Sequence, residues 1–183
     1  WLKKDQKLVA ISLSASQRWQ TKNWGVAPMA ELADMLAREK SIRVVLLGIE
    51  DDRPDVAAFS KKSGAKAIDA VGRTDVTRLI SLIKRCNALV TGDSAPMHIA
   101  AAVGTPFVAI FGPTDPERHI SPADRKIVIK KNVKCSPCYK PTCWKNMKCM
   151  TSIKPKEVFN AVMEVIGDEP ILSEEAPAAN SET

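Results

Sequence analysis

Asp93, Ser94 and His98 place an acid, a hydroxyl and an imidazole within one short stretch of the run 88–114, ALVTGDSAPMHIAAAVGTPFVAIFGPT. Gly92-Asp93-Ser94 is turn chemistry, Ser94 or Ala95 suits a helix N-cap, and Pro96 suits the first helical turn, where a missing N–H costs nothing. Unpaired N–H groups at such a helix start, together with the helix dipole, favour a phosphate. His98, within about one turn of that start, would add a donor nitrogen, a stronger one when protonated. An aspartate beside a phosphate repels it, so Asp93 suits a sugar hydroxyl or a backbone N–H instead. A plainer reading is also open, in which Asp93 and Ser94 cap a helix and His98 is a satisfied, half-buried side chain.

A second cluster is Cys135, Cys138, Cys143 and Cys149, spaced C-x2-C-x4-C-x5-C in an irregular, Lys-rich region, 123–150. Four thiols this close could hold tetrahedral zinc, carry an iron–sulfur group or pair as disulfides. The spacing departs from the doubled C-x2-C zinc form, which leaves a structural metal as an open hypothesis. Cys86, at the end of a helical pattern, reads as core.

These residues need elements to position them. Residues 88–91 and 107–111 are apolar runs too short for helices and bounded by glycine, hence buried strands. The small apolar stretch 97–103 between them is a helix, stopped by Gly104 and Pro106. Upstream, the pattern predicts a strand over 7–13, a loop to 24 and a helix over 28–38 with Met29, Leu32, Ala33 and Leu36 on one side. A strand over 42–47, a helix over 55–63 and a short strand at 67–68 follow. Thr74 is expected to cap a helix over 75–86, whose Val76, Leu79, Ile80 and Ile83 share a face. Residues 126–129 suit a last strand and 154–166 a last helix, with Val158, Val162 and Ile166 aligned.

Strands that are apolar throughout and alternate with helices imply a parallel sheet covered on both faces. The expected fold is α/β, a doubly wound, Rossmann-like parallel sheet of five or six strands. In such sheets ligands sit beyond the carboxyl ends of the strands. The pocket candidates are therefore Ser14 and Ser16 after the first strand, 48–52 after the second, 93–98 after the central one, and Thr114 with Asp115 after the next. Neither a G-x-G-x-x-G nor a G-x-x-x-x-G-K-[ST] pattern is present.

The chain has 183 residues and a net charge of +6. Residues 167–183 carry five acids and no Lys or Arg, leaving 27 basic against 16 acidic side chains in the first 166 residues, a balance of +11. The expectation is one α/β domain over 1–166, including the Cys-rich segment 135–149, and an acidic, disordered tail over 167–183. A basic body suits anionic partners such as nucleotide phosphates, nucleic acid or an acidic membrane surface. The lack of RNP, zinc-finger and helix-turn-helix patterns argues against nucleic acid. No apolar run approaches the roughly 18–20 residues that span a bilayer. The chain opens at Trp1 with no signal-peptide pattern, so the expectation is an excised piece of a larger cytoplasmic protein.

The run D-S-A-P-M-H-I-A-A-A-V-G-T-P followed by A-I-F-G-P-T-D-P resembles the signature of glycosyltransferase family 9, the ADP-heptose–lipopolysaccharide heptosyltransferases. The usual form there is D-[ST]-G-x-x-H-x-A-A-A, then a strand and F/Y-G-x-T-x-P. Ala95 stands where the family usually has glycine. A methyl group there is a modest obstacle to a close phosphate and a larger one if the backbone needs positive φ. The resemblance runs from Ser14 to about Val162, and similar cysteines occur in many members.

The resemblance implies the C-terminal, donor-binding half of a GT-B-type enzyme. Such enzymes transfer L-glycero-D-manno-heptose from ADP-heptose to the inner core of lipopolysaccharide, inverting the anomeric centre. Lys22-Asn23-Trp24 matches the family's lysine before an aromatic residue, which implies that Lys22 neutralises the departing diphosphate. Either Glu50 or Asp51 would hold ribose hydroxyls, as an acid does in other nucleotide sites. Asp93, Ser94, Ala95, His98 and Thr114 would face the donor. No metal is implied for the chemistry. The general base would be an aspartate on an N-terminal domain outside this chain, so the fragment alone is expected to bind nucleotide weakly and turn over little. The implied partners are the nucleotide sugar, the lipopolysaccharide acceptor, that missing domain and the inner face of the cytoplasmic membrane. Two other readings stand beside this one: a non-catalytic nucleotide-binding or interaction module, and a family member using a different nucleotide sugar.

Overall fold

A computed structural model of the chain describes residues 6–16 and 18–167, so the acidic stretch expected to be a disordered tail lies, from residue 168 on, outside the described residues. The elements run β1 (Lys7–Ser12), α1 (Val26–Arg38), β2 (Ile42–Leu47), α2 (Arg53–Lys62), β3 (Ile68–Asp69), α3 (Val76–Lys84), β4 (Ala88–Gly92), α4 (Ala95–Val103), β5 (Phe107–Phe111), α5 (Pro116–His119), β6 (Lys126–Lys130), α6 (Lys148–Thr151) and α7 (Pro155–Ile166). Single 3-10 turns stand at Gln20–Lys22 and Glu50–Asp52. The strands form one six-stranded sheet in the order β3-β2-β1-β4-β5-β6, parallel at every pairing.

The uniformly apolar strands divide their side chains between two cores. Val9, Ile11, Val44, Leu46, Val90, Val108 and Ile110 join α1 and α7 on one face. Leu8, Ala10, Val45, Leu89, Phe107, Ala109 and Phe111 join Ile83 of α3 and Met97 and Ala100 of α4 on the other. A strand buried on both faces has no polar side to alternate with, which is why these runs show no period of two in the sequence.

Several element boundaries differ from the expected ones. Helices α1 and α2 each start two residues earlier than predicted: Pro28 is the third helical residue rather than the first, and Pro54 the second rather than a residue ahead of the helix. The N-cap of α3 is Asp75, whose carboxylate accepts from the Arg78 amide at 2.8 Å, and not Thr74. The short third strand lies at Ile68–Asp69. Two short helices, α5 and α6, were not anticipated; the second lies inside the region expected to be irregular. Cys86 is core, as expected: it is buried, and burial pushes its thiol up to about 12.

Chain order along the sheet reverses between β1 and β4, since β1 leads outward to β2 and β3 while β4 leads to β5 and β6. Connections leaving the carboxyl ends of these two central strands turn in opposite directions and leave a crevice between them. That crevice is where the candidate residues gather.

Candidate functional site

Two segments make the centre of the crevice, the loop after β1 and the turn from β4 into α4. Gly92 lets them meet. A Cβ at this position would stand 3.0 Å from the carbonyl oxygen of Lys22 and 3.1 Å from the Ala15 Cβ. The absent side chain therefore lets the 3-10 turn that ends at Lys22 rest on the end of β4. Asn23 ties the loop together by accepting from the Ala15 amide at 2.8 Å. Trp24 anchors it from below, buried, with its indole N–H donating to the Ile153 carbonyl at 3.2 Å.

Held this way, Lys22 reaches Asp93 with an Nζ–Oδ2 distance of 2.8 Å. Asp93 is 6% exposed and Lys22 16%. The ammonium also lies 4.7 Å from the centre of the Trp19 ring. The sequence brought Lys22 and Asp93 forward separately, and the structure pairs them. Asp93 meets a lysine rather than a backbone N–H. The lysine places a positive charge where an anion can approach, and the aspartate offsets part of it, so the pair orients a cation without leaving an uncompensated buried charge.

Ser94 is the N-cap residue of α4 by backbone conformation, yet its hydroxyl makes no capping bond to that helix. It shares a hydrogen bond of 3.0 Å with Thr91 Oγ1 instead. The amide-bearing start of α4 is thus not spent on its own cap. Ala95 is the first residue of α4, is exposed, and is not among the positive-φ residues. Its backbone therefore makes no demand for glycine, and only the modest steric difference of a methyl group remains.

The polar residues of the β1 and β2 ends meet across a cavity of about 280 Å³, bounded by Ser14, Ser16, Gly48, Asp52, Asp75 and Ala95 among others. Ser14 donates to Asp52 Oδ2 at 3.0 Å, and the same oxygen accepts from the Ile49 amide at 2.9 Å. The acid that lines this cavity is neither of the two expected to hold ribose. Glu50 and Asp51 are exposed and do not line the cavity, whereas Asp52 is 1% exposed and does. The 3-10 turn points the first two acids outward and the third, at the start of α2, inward. The signal was present as Asp52-Arg53-Pro54, an N-cap residue followed by a first-turn proline.

The remaining candidates lie outside that cavity. His98 is exposed, with Nδ1 2.6 Å from Ser121 Oγ in the loop after α5. Thr114 is buried, 1% exposed, and its hydroxyl has no hydrogen-bond partner among the described residues. Asp115 caps α5 through the Glu117 amide at 3.4 Å and pairs with Lys130 at 3.6 Å.

The four-cysteine ligand set is not assembled. All four thiols are free, and among the described residues no group of three or more His, Cys, Asp or Glu is placed to hold a metal ion. Cys143 is exposed on a loop, and Cys149 is buried beside Gly112. Burial, aided by the neighbouring thiols of Cys138, Cys135 and Cys143, pushes the Cys149 thiol up. The segment packs against the crevice through its backbone. Trp19 Nε1 and Thr21 Oγ1 both donate to the Lys140 carbonyl, at 3.0 and 2.6 Å, and the Cys138 and Tyr139 amides donate to the Pro113 carbonyl at 2.9 and 2.8 Å. Trp19 and Asn23 were not singled out in the sequence; their roles depend on contacts that sequence spacing does not show.

Larger hollows open elsewhere, one of about 330 Å³ near Gln6 and Lys40 and one of about 400 Å³ near Gly104 and Arg125. The crevice joins polar side chains from several connecting loops with an ion pair at a helix start, which is the pattern of a ligand site in this kind of sheet.

Residues 2–148 match the family described as glycosyltransferase family 9 (heptosyltransferase). The chain is similar to lipooligosaccharide heptosyltransferase 2 of Campylobacter jejuni, 27% identical over 169 residues, which cover 90% of this chain and 53% of that protein. It is 37% identical over 100 residues to lipopolysaccharide heptosyltransferase 2 of Escherichia coli, covering 52% of this chain and 28% of that one. The solved E. coli ADP-heptose lps heptosyltransferase II shares the fold, with a TM-score of 0.74 at 24% identity over 90% of this chain and 47% of its own. The chain thus spans about half the length, or less, of the relatives it matches. With its family signature matched over most of its length and the fold of that family behind it, the chain belongs to glycosyltransferase family 9.

Proposed function

We propose that this chain is the donor-binding half of an inverting heptosyltransferase that takes ADP-heptose and extends the inner core of lipopolysaccharide. The observation that carries this reading is the Lys22–Asp93 pair, 2.8 Å apart, at the reversal point of the sheet beside the start of α4. The E. coli protein of the same fold is named for ADP-heptose as its donor, and the longer relatives are named heptosyltransferases.

In this reading the diphosphate lies across the start of α4, where unspent amides and the helix dipole favour negative charge. Lys22 stands at the leaving group. As an acceptor hydroxyl oxygen attacks the anomeric carbon, the bond from that carbon to the diphosphate oxygen breaks and ADP departs. The ammonium offsets the charge that develops on it. Asp93 holds Lys22 in that position. The nucleoside enters the cavity near Ser14 and Ser16. Asp52, already bonded to Ser14, orients that loop. The hydroxyl's proton goes to a general base that we place on a second domain of the same protein. No metal is invoked in these steps.

Calorimetry with ADP, UDP and GDP tests the reading. The expected result is preferential binding of ADP, weakened about tenfold or more by Lys22→Ala, given that hydrogen bonds to charged groups contribute about 1.5–3 kcal/mol. A preference for UDP or GDP would assign a different donor, and ADP binding that is indifferent to Lys22→Ala would remove the diphosphate from this position.

A further inference from the structure

β2 reads IRVVLL, and Arg43 is the charged residue in a strand that is otherwise apolar. It stands in register with Leu8 of the central strand β1, which is buried. On the other side of β2, the short β3 pairs only with Val45 and Leu46. Beside the first half of β2 lies a hollow of about 330 Å³, bounded by Lys40 just after α1, by Arg43 and by residues 64–66. Asp34 of α1 fixes the far wall, accepting from Ser63 Oγ at 2.7 Å and from the Ala65 amide at 3.0 Å.

Three cations line this hollow, Lys40, Arg43 and Lys66, and no acid does. None of the three makes an ion pair among the described residues. Lys40 and Lys66 are exposed, which suits ordinary solvated lysines. Arg43 is different. It is half-buried, and its Nε is closed off from solvent with no hydrogen-bond partner. A buried N–H on a charged group is costly to leave without an acceptor, and a guanidinium matches planar oxyanions in shape as well as charge.

We propose that this hollow is an oxyanion site, in which Arg43 Nε–H donates to a phosphate or carboxylate oxygen and Lys40 and Lys66 add flanking positive charge. Charge-assisted bonds of this kind are stronger than neutral ones. The site is separate from the crevice, because Arg43 lies at the amino end of β2, roughly 16 Å from Gly48 at the rise of a strand. It does not depend on which nucleotide sugar the crevice binds.

Two sources of the oxyanion are at hand. One is phosphate from solution. The other is the chain itself, since Gly167 is followed by Asp168, Glu169, Glu174, Glu175 and Glu182 with no Lys or Arg between them. The Gly167 carbonyl accepts from Lys7 Nζ at 3.0 Å, and Lys7 is in register with Ile42, which lines the same hollow.

The Arg43 Nε–Hε resonance, assigned by its loss in Arg43→Lys, tests the proposal in the whole chain titrated with inorganic phosphate. A second form of the whole chain carries Asp168→Asn and Glu169, Glu174, Glu175 and Glu182 each changed to Gln. In this second form the resonance should shift saturably with phosphate. Lys40→Gln together with Lys66→Gln should weaken that binding about fivefold, as two exposed charge contacts would. Both lysines are exposed, so the variants keep the fold. The unaltered chain then distinguishes the sources: the same shift on adding phosphate assigns the site to a free anion. A resonance already displaced, and indifferent to phosphate, assigns it to the chain's own carboxylates. No shift in the second form, an equal shift with sodium chloride at matched ionic strength, or affinity unchanged in the double lysine variant would each overturn the proposal.

Discussion

At the scale of single residues, the crevice depends on two carboxylates with different duties. Asp93 pairs with the Lys22 ammonium, while Asp52 accepts from a serine hydroxyl and a backbone amide. The Asp52 bonds cross from the end of β1 to the end of β2, so losing them should loosen the Ser14 loop as well as α2. Asp52→Asn is expected to lower stability by about 1.5–3 kcal/mol, the range for hydrogen bonds to a charged group, whereas the exposed Asp51→Asn should stay within about 0.5 kcal/mol. Urea denaturation of both variants distinguishes them, and equal effects would place the working carboxylate wrongly. Three adjacent acids look alike in the sequence. Only the direction in which the 3-10 turn aims each one separates a buried hydrogen-bond acceptor from two solvated charges.

At the scale of elements, what matters is how closely the connections approach one another. Gly92 allows the Lys22 turn to lie on β4, and Gly92→Ala would push a methyl group to 3.0 Å from a backbone carbonyl that is itself part of that turn. We expect this variant to lose about 1–3 kcal/mol of stability, as overpacked sites do, and to weaken nucleotide binding more than its stability loss explains. Thermal melts beside calorimetry would show whether both effects occur. On the outer side of the sheet, Arg53 of α2 fastens β3 by donating to Asp69 at 2.6 Å and to the Val71 carbonyl. Burial alone would raise the Asp69 carboxyl, but the hydrogen bonds from Arg53 and the Val71 amide outweigh it and hold the group below its ordinary 3.8. A depressed carboxylate contributes stability that is fully present above the ordinary value and is lost as pH falls from 3.8 through the lower folded value. Arg53→Met should therefore flatten the acid limb of the stability–pH curve, a change that denaturation midpoints at several acidic pH values would detect.

At the scale of the whole molecule, the sheet is a rigid base whose two cores depend on its central strands. Leu89 is fully buried in β4. Leu89→Ala is expected to cost about 2–5 kcal/mol, readable as a fall in the urea midpoint with an unchanged slope. Among the described residues no helix is long and apolar enough to cross a membrane. The fold class was legible in the sequence because apolar runs of strand length alternated with amphipathic helices, and helix ends were marked by residues with local causes, such as Gly104 at φ +76° after α4. The run from Asp93 to His98 was legible for the same reason, since a turn, a cap and a first-turn proline follow one another along the chain. Local chemistry of this kind is determined by the sequence alone. The pairing of Lys22 with Asp93, the burial of Asp52 rather than its neighbours and the burial of Thr114 were decided only by tertiary structure. Each depends on which distant segments the β3-β2-β1-β4-β5-β6 order brings together, and on which face each side chain meets there.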